Sequence, residues 1–150
     1  MTTVAFGSYD FKVEERDKQK FIFDIARKKW VILTPEEWVR QHILHYLIYD
    51  KKYPASLIAV ERGIELNGTQ KRFDLVVFTN SGKPKMIIEC KAPEEALNEK
   101  VFEQIARYNL SLKVDYLWVT NGTLNYVSRL KGGIQLLELV PEWEEFSAEI

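Results

Sequence analysis

The sequence predicts an α/β fold of the α+β kind, a mixed β-sheet flanked by helices. Three observations carry this. Two apolar stretches, Arg72–Phe78 and Met86–Lys91, are joined by the turn-forming link Thr79-Asn80-Ser81-Gly82-Lys83-Pro84, which reads as a hairpin. A helical stretch from Pro93 to about Leu110 separates them from a further apolar strand, Tyr116–Thr120. A helix linking two strands of one sheet is a crossover, so the strands on either side of it are predicted parallel, whereas the hairpin strands are antiparallel.

Before these elements, residues 1–19 are polar and rich in charge, and read as a loose arm or short irregular segment. Phe21–Asp24 and Lys29–Leu33 flank the basic turn Arg27-Lys28-Lys29 and form a candidate hairpin. Thr34-Pro35-Glu36-Glu37 is a helix start. Thr34 suits the N-cap, Pro35 the first helical position, and Glu37 the capping-box position. The apolar stripe Val39, Ile43, Tyr46 and Leu47 extends this helix to about Tyr49, and Asp50-Lys51-Lys52-Tyr53-Pro54 ends it. Leu57–Leu66 reads as a strand with Gly63 as the candidate bulge, followed by an Asn67-Gly68 turn. On the second helix, Leu97, Val101, Ile105 and Tyr108 form the expected inner stripe. After Asn121-Gly122 come a strand over Leu124–Leu130 and a short one within Ile134–Val140. From Pro141 an acidic end reads as a short helix or frayed tail.

At 150 residues, with 46% hydrophobic and 29% charged, the chain is expected to form a single domain (1–150, core about 20–130) around one core. The net charge of −1 hides an asymmetry. Within 71–91, Lys71, Arg72, Lys83, Lys85 and Lys91 face Asp74 and Glu89, a balance of +3, while 138–150 holds five glutamates and no base. A mildly basic working face and an acidic tail fit that pattern. No apolar run is long enough to span a bilayer, and Met1–Phe6 lacks the form of a signal peptide. The single cysteine, Cys90, rules out an internal disulfide framework, and a cytoplasmic location is expected. His42 and His45 lack the companions of a zinc site, and no P-loop or Ser-His-Asp pattern is present.

The two hairpin strands carry charges that a core disfavours. Side chains alternate along a strand, so Glu89 and Lys91 share a face, and Asp74 joins them if the hairpin register allows. Buried charge needs partners. A divalent metal is one solution, and an ion-pair cluster inside the sheet is the other.

Asp74, fourteen residues, then Glu89-Cys90-Lys91 resembles the PD-(D/E)XK nuclease family. Gln104-Ile105-Ala106-Arg107-Tyr108 matches the Gln-X-X-X-Tyr element that some branches carry on the next helix. The run from Leu33-Thr34-Pro35-Glu36-Glu37-Trp38-Val39-Arg40-Gln41 to Glu89-Cys90-Lys91-Ala92-Pro93 looks more specifically like the N-terminal nuclease domain of type I restriction R subunits, over roughly residues 20–130. Phe73 replaces the proline of the family signature at a position that varies widely.

The resemblance implies a restriction-endonuclease-like core and a DNA endonuclease dependent on Mg2+ (or Mn2+). It makes Asp74 and Glu89 metal ligands, joined by the backbone carbonyl of Cys90, and sets Lys91 beside the attacking water. Glu37 is a candidate third carboxylate, with helix capping as its other reading. Gln104 and Tyr108, one helical turn apart, are expected to point toward the site and support it. Arg40, Gln41, Lys71 and Arg72 are candidates for phosphate contact. The Cys90 side chain is expected to face the opposite side, in the core. DNA is the implied partner, with other restriction-system proteins. The alternatives are a non-catalytic nuclease-fold module that binds DNA or a partner protein, and a structural α/β domain with an internal ion-pair cluster.

Overall fold

Residues 1–66 and 68–148 are described by the computed structural model. Of the expected Asn67-Gly68 turn, Asn67 lies outside them, while Gly68 has the positive φ of 75° that such a turn favours. A three-stranded antiparallel sheet comes first, in the order β1 (Val13–Arg16), β2 (Gln19–Asp24), β3 (Lys29–Ile32). Helix α1 (Pro35–His45) follows. The second sheet has six strands in chain order: β4 (Ile58–Leu66), β5 (Thr69–Phe78), β6 (Pro84–Cys90), β7 (Tyr116–Thr120), β8 (Asn125–Arg129) and β9 (Gln135–Leu136). Helix α2 (Glu99–Asn109) joins β6 to β7, and α3 (Trp143–Ala148) closes the described chain. β6 and β7 are parallel and every other neighbouring pair is antiparallel, so the mixed sheet has the crossover predicted from sequence.

Alternation splits the core across the two faces of this sheet. Leu75, Val77, Met86, Ile88, Tyr116 and Trp118 pack with Val39, Ile43 and Leu44 of α1. Val76, Ile87, Leu117 and Val119 pack on the other face with Phe102 and Ala106 of α2. α1 starts as predicted, with Thr34 Oγ1 accepting from the Glu37 backbone N–H at 3.0 Å. Its path continues from Tyr46 to Asp50 as a wider π turn, which ends it where the sequence predicted.

The second helix begins later than predicted. Pro93-Glu94-Glu95 stays in a turn, closed by the Glu95 N–H on the Ala92 carbonyl. Asn98 is the actual N-cap, its Oδ1 accepting from the Val101 N–H at 2.8 Å. Its fully buried residues are Phe102, Ala106 and Asn109, with Val101 and Ile105 half-buried beside them and Tyr108 exposed. The expected bulge at Gly63 is also absent, since Gly63 pairs regularly with Arg72. The irregular residue of β4 is Glu61, with φ of 50°.

Both chain ends are more integrated than their polar composition suggests. β1 pairs with β2 where a loose arm was expected. Thr2 is buried: its hydroxyl donates to the Leu137 carbonyl at 2.6 Å and accepts from the Val127 N–H at 2.8 Å. At the other end, Phe146 packs its ring against Tyr53 and Tyr116 while Glu144 and Glu145 stay outside. Among the described residues, no helix is long and apolar enough to cross a membrane.

The registers align three strands at one position. Leu75 pairs with Ile88, so the next step sets Asp74 opposite Glu89. Val60 pairs with Leu75 and Arg62 with Phe73, which sets Glu61 opposite Asp74 on the other side. Three acids from β4, β5 and β6 therefore stand side by side.

If the acidic C-terminal segment is core rather than tail, Phe146→Ala should destabilise the protein by about 3–5 kcal/mol in urea titration. A loss near zero would make α3 a peripheral element.

Candidate active site

The aligned acids open into a cleft of about 530 Å³. Asp74, Glu89 and Lys91, the three residues of the sequence signature, all line it, as does Cys90 between the last two. The other charged residues of the lining are Glu36, Arg40, Glu61, Arg72 and Glu95. Five acids against three bases leave the lining two charges negative.

Each carboxylate of the signature is held by this chain. Asp74 Oδ2 accepts from the Cys90 backbone N–H at 2.7 Å, and its Oδ1 accepts from Arg40 Nη2 at 3.3 Å. Glu89 Oε1 lies 3.6 Å from Lys71 Nζ, which also donates to Asn109 Oδ1 at 2.9 Å. Lys91 pairs with Glu95 at 3.7 Å rather than with Glu89, and both partners remain partly exposed. The Cys90 side chain is buried in the α1-side core, as predicted, and burial holds its thiol well above the usual thiol range.

Arg40 is the centre of a larger network. Its Nη1 donates to Glu37 Oε1 at 3.2 Å and to Glu61 Oε1 at 3.1 Å. Burial alone lowers the affinity of a guanidinium for its proton, but Glu37, Asp74 and Glu61 outweigh it and raise the Arg40 pKa. Arg27, from the turn after β2, bonds Asp24 at 2.7 Å and Glu37 at 3.1 Å, and reaches Glu61 at 3.5 Å. Gln41 Nε2 donates to Asp24 and Glu37, both at 3.1 Å. Arg40 and Gln41, expected at the surface for phosphate, are thus buried inside this network. Lys71 is tied to Glu89, and only Arg72 of the four reaches well into solvent.

Glu37 is buried in this network and does not line the cleft. The first-helix acid that does is Glu36, which the sequence reading passed over in favour of Glu37. A usable signal existed: Glu36 and Arg40 lie at i and i+4, so they share a helix face, and their side chains are 3.9 Å apart. Burial, and then the nearby Asp74, raise the pKa of Glu36. Glu61 moves the other way: burial alone would raise its pKa, but Arg40, Arg27 and Arg72 lower it. Gln104 is exposed and outside the cleft lining. Tyr108 is 73% exposed, and its ring sits 4.3 Å from Lys71 Nζ, so it meets Glu89 only through that lysine. His42 and His45 each donate an Nδ1–H to a backbone carbonyl of α1, those of Trp38 and Gln41, within an aromatic cluster away from the cleft.

The family model described as "Type I restriction enzyme R protein N terminus (HSDR_N)" matches residues 35–142. The chain belongs to this family. The match begins at α1 and ends before α3, so it spans the cleft and leaves the three-stranded sheet outside. Among solved structures, the fold is similar to that of a "putative nuclease belonging to DUF820" from Anabaena variabilis ATCC 29413. That match has a TM-score of 0.51 and 13% identity, and covers 82% of each chain. At that identity the likeness supports the nuclease-like fold alone. No curated protein matches.

Glu36→Gln tests the crowding of the acids. A carboxyl whose folded pKa is raised weakens the fold once ionised, so the deficit develops above the unfolded pKa and is complete above the folded one. Without metal, Glu36→Gln should melt above wild type at neutral pH, and the gap should close as the pH falls below the carboxylate range. A gap that persists in acid would assign the effect to something other than charge.

Proposed function

We propose that this domain is a Mg2+- or Mn2+-dependent deoxyribonuclease that hydrolyses DNA phosphodiester bonds, acting with restriction-system proteins in the cytoplasm. The observation that carries the reading is the convergence of Asp74, Glu89 and Lys91 on one cleft within the matched family region. The donors of the cleft suit a hard divalent cation. Magnesium takes hard oxygen ligands and commonly uses one or two carboxylates while keeping several waters. Asp74 and Glu89 meet that requirement, the Cys90 backbone carbonyl would add a third oxygen, and the lining carries the two negative charges that one dication neutralises. Among the described residues, no group of three or more His, Cys, Asp or Glu side chains forms a metal cage. A site of two carboxylates plus water and phosphate suits this chain; an all-protein cage does not.

A bound dication would supply an acidified water and charge neutralisation at the scissile phosphate. The chain's residues do the rest. The Cys90 N–H fixes one oxygen of Asp74, and Lys71 steadies Glu89. Lys91, paired loosely with Glu95, can turn its ammonium toward the attacking water or the phosphate oxygens. Arg72, exposed at the rim, meets the DNA backbone. Glu36 takes the position expected of a first-helix acid, and Glu37 anchors the network behind it. Gln104 and Tyr108, exposed on α2, are available to DNA rather than to metal.

One observation favours the non-catalytic reading. Asp74 and Glu89 already have cationic partners in Arg40 and Lys71, as a closed ion-pair cluster would. Activity decides. Supercoiled plasmid should be nicked or cut with Mg2+ or Mn2+ and not in chelator, and Glu89→Ala should abolish the reaction. Lys91→Met should keep the fold and metal binding but lower the rate by about 10²–10³. A wild type that binds DNA without cutting it would instead support the binding module.

A further inference from the structure

We propose that Arg40 is the cleft's built-in counter-ion: it neutralises Asp74 in the metal-free protein, yields that carboxylate to a divalent cation, and so sets how much metal the site needs. This inference rests on the metal reading above and concerns its regulation.

The geometry singles out Asp74. Arg40 holds three acids through two nitrogens, with Glu36 a fourth at 3.9 Å. Glu37 and Glu61 have a second cation in Arg27, and Glu61 a third in Arg72. Among the described residues, Arg40 is the one cation within ion-pair distance of Asp74. Asp74 Oδ2 is tied to the Cys90 N–H, so Oδ1 is the oxygen that Arg40 covers. The arginine is held in place at the cleft wall: its side chain is only 6% exposed and is bonded to Glu37, Glu61 and Asp74. Its Nε is buried with no hydrogen-bond partner, so its donors are not saturated. A metal at Asp74 must therefore bind against a positive charge fixed nearby. At a few ångströms, and at the effective dielectric of a partly buried site, such a charge weighs heavily on a dication.

Removing that charge should make Asp74 a stronger metal site and leave its acids unbalanced until metal arrives. Calorimetric titration of chelator-treated protein with Mn2+, alongside thermal melts, tests this. Arg40→Gln should bind Mn2+ about tenfold or more tightly than wild type. In chelator it should melt below wild type, and saturating Mn2+ should raise its melting temperature by more than it raises that of wild type. Adding Asp74→Asn to Arg40→Gln should erase the gain in affinity. Arg27→Gln, which disturbs Glu37 and Glu61 but not Asp74, should leave Mn2+ affinity unchanged. Mn2+ binding by Arg40→Gln that is equal to or weaker than that of wild type overturns the proposal. Should Arg40→Gln fail to fold, Arg40→Lys decides: one ammonium cannot span Glu37, Glu61 and Asp74 together, so tighter binding than wild type supports the proposal and unchanged binding overturns it. Weak wild-type binding with no gain in the variants removes this inference alone, whereas absence of Mn2+ binding in every protein removes the metal reading with it.

Discussion

One buried guanidinium governs the architecture of the cleft. Arg40 projects from the middle of α1 and bonds acids from its own helix, from β4 and from β5. Buried ion networks are expensive to assemble, and removing one member typically costs about 3–5 kcal/mol because it strands the others. The arrangement therefore restricts where α1 can sit on the sheet: only one placement brings the guanidinium between Glu61 and Asp74. Apolar packing of Val39, Ile43 and Leu44 against the strands supplies the attraction, and Arg40 supplies the register.

The network also explains why an element outside the matched family region is tied to the cleft. Asp24, fully buried at the end of β2, accepts from the backbone N–H groups of Ala26 and Arg27 and shapes the turn between β2 and β3. That turn delivers Arg27 to Glu37 and Glu61. The small sheet is thus coupled to the acids of the cleft through two arginines. A change in the turn would reach Glu61 through a chain of charge-assisted hydrogen bonds rather than through apolar packing.

Much of this was legible from sequence, because it followed from short-range chemistry. The hairpin link Thr79–Pro84, the Thr34 cap and the apolar strands each specify their element locally, and the crossover rule then gave the parallel pair β6–β7. The signature residues Asp74, Glu89 and Lys91 lie on the predicted hairpin, but a register shift at Val77/Phe78, which the sequence did not announce, is what sets Asp74 opposite Glu89. What failed depended on long-range partners. Nothing near Thr2 in sequence announces Leu137 or Val127, and nothing near Phe146 announces Tyr53. Of the inner stripe expected for the second helix, Leu97, Val101 and Ile105 pack on the core, whereas Tyr108 came out exposed. Glu36 and Glu37 are adjacent and chemically identical. Only the direction of Arg40 separates the one that lines the cleft from the one that braces it.

The opposed shifts of Glu36 and Glu61 show how environment divides identical groups within one cleft. Glu61 lies within reach of three arginines, and they outweigh its desolvation and keep it charged. Among the described residues, Glu36 has Arg40 as its one ion-pair partner, at 3.9 Å, and burial and the like charge of Asp74 raise its pKa. Of the cleft acids, Glu36 is therefore the one whose charge is least secured by the protein. Glu61, already held by its arginines, is part of the frame.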